Sequence, residues 1–429
     1  MHSVFDPACA PAISISCNLL YQLKISFITV QYHATALYQH NYQQTASQLL
    51  LGRRCQLLYA GSTTSWWARN VSIMLQINQI RSLHLEISTN CNAKCPSCPR
   101  NVAGYTYNDG YPECDLSLLQ IKQILSPEFL RQITKIYLSG NFGDFLMNPE
   151  SIKILEYLRA SSPESWIVIG TNGGARDDAF WQRVAELATE VIFCLDGLED
   201  THSIYRKNTL WTTVIKNAKT VMNHGGAAGW KFIVFDHNKH QIDQAKNLSE
   251  ELGFKKFVLH DHGRNTTPVF DKHGNFEYWI GDQPPDQVSK IEWVLQAPQR
   301  NTRLDPEELA AKPCAKTVVC DSLKKQELYI TANGEVYPCC FMGHYPHTFQ
   351  KNMSTWYSFV NNQVSEIAMQ NNALEHGLEK AIQWFSNIPD HWTKQNWQQG
   401  RLVVCDTSCG ENSPYHNDLI IESNQHTPS

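Results

Sequence analysis

Short apolar segments alternate with amphipathic ones from residue 83 to residue 261, and this alternation restricts the fold more than any other feature. Six segments have the length and composition of strands: 83–88, 135–140, 166–171, 190–196, 230–236 and 256–261. Five others have apolar residues at helical spacing: 115–133, 149–161, 177–189, 210–224 and 240–254. Apolar runs on nearly every strand predict burial on both faces, hence a parallel sheet. The fold class is therefore α/β, as a barrel or an open doubly wound sheet.

The alternation stops near residue 265, and the sequence then changes character. Turn-rich stretches, tight cysteine groups and short strand-like pieces such as ELYITANGEVYP follow. We therefore predict one domain over 75–270 and a smaller, irregular α+β domain over 271–429. Residues 1–74 have no sustained helical or strand period, and no acidic residue occurs between Asp6 and Glu86. They fit either a transit peptide or a stretch outside the working protein, so they are left out of the fold.

Charge and cysteine spacing limit the class of protein. A formal net charge of −5 gives no electrostatic basis for binding nucleic acid or an anionic membrane. The partly apolar stretch 18–38 is interrupted by Lys24, Gln31 and His33, which argues against a membrane span.

Many of the 14 cysteines lie in tight groups near 91–98, 314–340 and 405–409. This spacing favours metal ligation in a reducing cytoplasm over a secreted disulfide framework.

Three cysteines, Cys91, Cys95 and Cys98, follow the first predicted strand in the stretch STNCNAKCPSCPRN. A [4Fe–4S] cluster has four iron atoms, and a thiolate normally binds each one. Three thiols in one loop can bind three irons and leave the fourth open to a small-molecule ligand. A zinc site completed by a distant residue, a disulfide with one spare thiol and coincidence are the alternatives. The loop follows a buried parallel strand, where α/β proteins usually place their chemistry.

The Cys-x3-Cys-x2-Cys spacing after the first strand resembles the signature of the radical S-adenosylmethionine (radical SAM) superfamily. The resemblance implies a partial (β/α)6 TIM-like barrel in which Cys91, Cys95 and Cys98 bind a [4Fe–4S] cluster and SAM chelates the fourth iron. It further implies that an injected electron splits SAM to methionine and a 5′-deoxyadenosyl radical, which abstracts hydrogen from a substrate. Ser97 departs from the family, which often has an aromatic residue just before the third cysteine.

The loop after the second strand stands where the family carries its Gly-Gly-Glu motif. Here the matching residues are Gly140, Asn141, Gly143 and Asp144. Glycines let the backbone approach a ligand closely, and an acid offsets the charge of the SAM ammonium group. The resemblance therefore implies contacts to SAM, and an ordinary glycine turn is the alternative.

The ends of the third and fourth strands carry further candidates for cofactor binding. Thr171 and Asn172 are placed to bond ribose hydroxyls, or simply to form a turn with the glycines that follow. The segment beginning at Asp196 resembles one in family members that modify peptides. Asp196 suits a ribose or substrate contact and Arg206 a carboxylate, although a helix cap or a surface ion pair is the alternative for either.

The C-terminal cysteines resemble the opening of a SPASM domain, an auxiliary-cluster module of many radical SAM enzymes. Four residues separate Gly334 from Cys339, as in that module, and Asn333-Gly334 predicts a β-hairpin turn. The resemblance implies one auxiliary [4Fe–4S] cluster, and a zinc site is the alternative. The expected ligands are Cys314, Cys320, Cys339 and Cys409, with Cys340 and Cys405 left over.

These features together predict a cytoplasmic radical SAM enzyme. By resemblance, its substrate is a peptide or protein side chain, and its electron comes from a flavodoxin- or ferredoxin-type partner. A radical SAM enzyme acting on a sugar or a cofactor precursor is one alternative. A non-catalytic iron–sulfur or zinc scaffold protein is another, and it would bind metal without cleaving SAM. No general base or other catalytic side chain is identified.

Overall fold

A computed structural model describes residues 75–107, 113–260, 267–281, 314–347, 355–411, 413 and 419–422. The strands within these residues are β1 (Ser82–Leu85), β2 (Asn101–Val102), β3 (Thr106–Tyr107), β4 (Lys135–Leu138), β5 (Trp166–Thr171), β6 (Glu190–Cys194), β7 (Ala227–Ile233), β8 (Lys256–His260), β9 (Thr267–Phe270), β10 (Phe276–Ile280), β11 (Glu327–Ile330), β12 (Val336–Tyr337) and β13 (Leu419–Glu422).

The α-helices within the same residues divide into those between the sheet strands and those after β10. The first group is α1 (Leu118–Ile124), α2 (Pro127–Leu130), α3 (Ser151–Ser161), α4 (Asp178–Leu187), α5 (His202–Tyr205), α6 (Trp211–Asn223) and α7 (Ile242–Glu251). The second group is α8 (Asp321–Lys325), α9 (Cys340–His344), α10 (Thr355–Ile367), α11 (Ala373–His376), α12 (Leu378–Ala381), α13 (Ile388–Trp392) and α14 (Val403–Cys409).

One large sheet organises the described chain. Its strand order is β12-β11-β1-β4-β5-β6-β7-β8-β13, and the run from β1 to β8 is parallel throughout. The six parallel strands are the six predicted from the sequence, in the predicted order. Strands at the two ends of this order are not paired with each other in the described residues. The expected α/β fold class, an open partial barrel, is confirmed.

Burial explains why these segments form strands and helices. In β5 every residue except Trp166 is buried, as expected for a parallel strand covered on both faces. Helix α3 buries Ile154, Leu155 and Leu158, which its periodicity places on one face. Helix α1 begins with a capping box, since Ser117 and Gln120 bond each other's backbone N–H groups.

The C-terminal region adds its own strands to this sheet. β11 pairs in parallel with β1, so that Ser82 lies beside Glu327. β11 and β12 form an antiparallel hairpin, as predicted, and its turn contains Gly334 with a φ of +86°. The described residues belong to one compact unit, and the sheet takes strands from both sides of residue 271. The division into domains at 270/271 stays a prediction.

Two predictions from the sequence concern the amino-terminal stretch and membrane-spanning helices. The stretch 1–74, including the partly apolar segment 18–38, lies outside them. Within the part of the chain that the structure describes, no helix has both the length and the apolar character needed to cross a bilayer.

Candidate active site

The three-cysteine loop begins where β1 ends, at the carboxyl edge of the sheet. Backbone hydrogen bonds hold both of its flanks: Asp144 N–H donates to Asn90 O over 2.9 Å, and Lys94 N–H donates to Lys207 O over 2.9 Å. Inside the loop, Cys98 N–H donates to Cys95 O over 3.1 Å. The loop is therefore a fixed turn, anchored to the loops that follow β4 and β6.

The structure brings the three thiols together. Cys91, Cys95 and Cys98 belong to one small apolar cluster, in which Cys95 is buried and the other two are half-buried. Burial raises the pKa of the Cys91 thiol, and nearby Asp144 and the thiols of Cys95 and Cys98 raise it further. The grouping expected from the sequence spacing is present in space.

The side chains predicted at the ends of β4 and β5 form one buried network. The Asp144 carboxylate accepts hydrogen bonds from Thr171 Oγ1 and from the backbone and side-chain nitrogens of Asn172, each over 2.7 Å. Asn172 Nδ2 also lies 3.6 Å from Cys91 Sγ. Burial raises the pKa of the Asp144 carboxyl, and the hydrogen bonds from Asn172 and Thr171 oppose that shift. The network thus connects two predicted cofactor-binding loops to the first cysteine.

The residues predicted at the end of β6 form a buried ion pair beside the second cysteine. Arg206 Nε lies 2.5 Å from Asp196 Oδ2, and Asp196 is 0% exposed. Asp196 Oδ1 also accepts the Ile233 N–H over 2.7 Å. Arg206 reaches the thiol of Cys95, with Nη1 3.8 Å from Sγ. Burial raises the pKa of the Cys95 thiol to about 12, and the adjacent Arg206 opposes that shift.

One buried acid was not identified from the sequence. Glu86 follows β1 and is 1% exposed; its Oε1 accepts the N–H groups of Phe142 and Gly143 over 2.8 and 3.0 Å. Its Oε2 accepts the Tyr329 hydroxyl over 2.7 Å. Glu86 therefore fixes the glycine loop after β4. The sequence did contain a signal for Glu86. It is an acid within the mostly apolar segment 83–88, and a buried carboxylate needs several hydrogen-bond donors.

Two other members of the glycine loop are held by neighbouring segments. Asn141 Nδ2 donates to the backbone oxygen of Cys340 over 2.8 Å. A methyl group on Gly140 would come within 2.3 Å of Glu86 Oε1. The roles predicted for Gly140 and Asn141 in SAM binding stay predictions.

Gly143 packs so closely on the start of the cysteine loop that no side chain fits there. A Cβ atom at this position would lie 1.9 Å from the backbone oxygen of Ser88. We expect Gly143→Ala to destabilise the fold by about 1–3 kcal/mol, because backbone atoms must move to relieve the clash. Thermal unfolding under anaerobic conditions measures this loss.

Gly229→Ala is the matched control for Gly143→Ala. A Cβ at Gly229 meets only side-chain atoms of Lys256 and Glu190, at 3.1 Å or more. We expect a smaller fall in unfolding temperature for this variant. Equal effects of the two alanines would contradict the close approach described for Gly143.

The residues at the carboxyl edge fit a [4Fe–4S] cluster with an open iron. Three thiols are supplied by one anchored loop, and Asn172 and Arg206 direct N–H groups at two of their sulfurs. No group of three or more Cys, His, Asp or Glu side chains in the described ranges is arranged to bind a single metal ion. In a [4Fe–4S] cluster each thiolate binds a different iron, so the three thiols need not converge on one point.

One cavity of the C-terminal region has four thiols in its wall, those of Cys320, Cys339, Cys405 and Cys409. Cys314 is not among the residues that line it; burial and the neighbouring Asp406 carboxylate raise the pKa of the Cys314 thiol. The structure therefore brings together three of the four predicted auxiliary ligands and adds Cys405. None of the cysteines in the described segments forms a disulfide.

Known proteins resemble this chain only distantly. No protein-family model matches the chain, and no curated protein matches it in sequence. Solved structures similar to it include SuiB of Streptococcus suis bound to its precursor peptide SuiA, with 14% identity over 87% of this chain and 89% of that one (TM-score 0.43).

Two further solved structures are similar to the chain. Native anSMEcpe with bound AdoMet has 13% identity over 77% of this chain and 91% of that one, with a TM-score of 0.45. BtrN in complex with AdoMet and 2-DOIA has 13% identity over 75% and 92%, with a TM-score of 0.30. Identities and TM-scores this low are insufficient to transfer a function to this chain.

Proposed function

We propose that this chain is a radical SAM enzyme whose active site lies at the carboxyl edge of the parallel sheet. The observation that carries the proposal is the grouping of Cys91, Cys95 and Cys98 in one anchored loop after β1. In this proposal three thiols bind a [4Fe–4S] cluster and SAM occupies the fourth iron. Once bound, the cluster and SAM would supply a 5′-deoxyadenosyl radical, which removes a hydrogen atom from the substrate.

The protein's own residues have distinct tasks in this proposal. The Arg206 guanidinium, paired with Asp196, places a positive charge beside the Cys95 sulfur and so favours its thiolate form. Asn172, held by Asp144, directs its amide N–H at the Cys91 sulfur. Buried side chains such as Tyr205 and Phe235 belong to the same apolar cluster as the thiols and help to bury Cys95. In this proposal, the polar residues orient the thiols and the apolar ones shield Cys95 from water.

The expected substrate is a peptide or protein side chain. The support is the sequence resemblance of the segment following β6 to peptide-modifying members of the superfamily, together with the SPASM-like spacing of the C-terminal cysteines. We further propose an auxiliary [4Fe–4S] cluster in the C-terminal region. Electrons would come from a flavodoxin- or ferredoxin-type reductant in a reducing, cytoplasmic setting, where thiolate ligands persist.

Reductive cleavage of SAM is the test of this function. The full-length protein is reconstituted anaerobically with iron and sulfide, then mixed with dithionite and SAM. We expect 5′-deoxyadenosine and methionine to form, as measured by liquid chromatography and mass spectrometry. Omission of dithionite is the control and should prevent both products. Stable iron binding without any 5′-deoxyadenosine would instead support the scaffold alternative.

A further inference from the structure

The cavity of the C-terminal region has the composition of a site for an iron–sulfur cluster. Four of its lining residues are cysteines, and almost all the others are apolar: Val318, Pro338, Phe341, Met342, Ile388, Trp392 and Val404, with Ser408 as the exception. Each cysteine in the wall is free. A mostly apolar cavity with four thiols suits a cluster that needs one thiolate on each iron.

Three separate chain segments bring these thiols together. Cys320 immediately precedes α8, and Cys339 immediately precedes α9, just after the hairpin of β11 and β12. Cys405 and Cys409 both lie on α14 at i and i+4, which places their side chains on the same helix face. The spacing Cys-x3-Cys thus has a physical explanation: one helix presents two thiols to one cavity.

We propose that the four cysteines lining this cavity bind the auxiliary [4Fe–4S] cluster, with Cys405 rather than Cys314 as the fourth ligand. Cys314 is not among the residues that line the cavity, whereas Cys405 is.

Four thiolates leave no iron open for a substrate. The auxiliary cluster would therefore transfer electrons or support the fold, and it would not bind substrate directly. This inference rests on the proposed iron–sulfur chemistry of the chain but not on cleavage of SAM, because cluster binding is measured without SAM.

The test starts from a chain that lacks the N-terminal cluster, Cys91→Ala/Cys95→Ala/Cys98→Ala. After anaerobic reconstitution, this variant should retain about four iron atoms per chain and the absorption and electron paramagnetic resonance signals of one cube. Adding Cys405→Ser should lower the iron content and change or remove the signals of the reduced cube. Adding Cys314→Ser instead, as the matched control, should leave iron content and signals unchanged.

Loss of the cube through Cys314→Ser, or its full retention in Cys405→Ser, would overturn the proposed ligand set. Alkylation of the unsubstituted chain tests the same set even if a variant fails to fold. Reconstitution should protect Cys405 from an alkylating reagent and leave the labelling of Cys314 unchanged, as measured by mass spectrometry. The reverse pattern of protection would contradict the proposal.

Discussion

Cys95→Ser abolishes formation of 5′-deoxyadenosine in the enzyme that we propose. Cys95 is 6% exposed, and its sulfur lies 3.8 Å from Arg206 Nη1. A serine hydroxyl at this buried position does not ionise near neutral pH, so one iron of the N-terminal cluster would lose its ligand. Without that cluster SAM has no binding iron and no electron donor. Product should fall to the level of a protein-free control.

Cys114→Ser is the matched control for Cys95→Ser. Cys114 precedes α1 and contacts Thr89, whose Oγ1 lies 3.8 Å from its sulfur, but it is outside the three-thiol cluster. This variant should keep SAM cleavage and iron content close to those of the unsubstituted protein. Iron content separates the two variants independently of activity, since only Cys95→Ser should lose the N-terminal cluster. Normal product formation by Cys95→Ser would rule out the proposed function.

Arg206→Met destabilises the protein by about 3–5 kcal/mol, because it leaves a buried carboxylate without its cation. Asp196 is 0% exposed, and the paired side chain of Arg206 is only 13% exposed. Methionine preserves much of the aliphatic volume while removing the charge. The midpoint of urea unfolding under anaerobic conditions should therefore fall strongly.

Two further variants test whether loss of the buried ion pair causes the destabilisation. Lys216→Met breaks a surface pair, Lys216 with Asp178, and should cost about 0–1 kcal/mol. The double variant Asp196→Asn/Arg206→Met removes both charges and should recover part of the loss. If Arg206→Met proved as stable as Lys216→Met, the Asp196 carboxylate would not be held as the structure describes.

The sequence was sufficient to predict the parallel sheet and the position of the first cysteine group. Apolar runs are a local property, and the six parallel strands follow from them directly. The capping box at Ser117 and the hairpin turn at Gly334 were predictable for the same reason, since each depends on residues within a few positions.

Features that depend on distant partners were not predictable in this way. Nothing in the local pattern of β11 indicates that it pairs with β1, which lies about 245 residues earlier. The ligand choice between Cys314 and Cys405 depends on which face of α14 meets the cavity, and spacing alone does not determine that. Glu86 was missed because its partners, Tyr329 among them, come from other parts of the chain.

The parallel pairing of β11 with β1 limits how this protein can be divided. The strand that carries the three-cysteine loop lies between β4 and β11, so its backbone groups are bonded on both sides. A fragment ending before Glu327 would expose one side of β1 and invite association with other chains at that open edge. The amino-terminal half therefore depends on β11 to cover this edge of β1, and we expect the two cysteine groups to fold as parts of one compact unit.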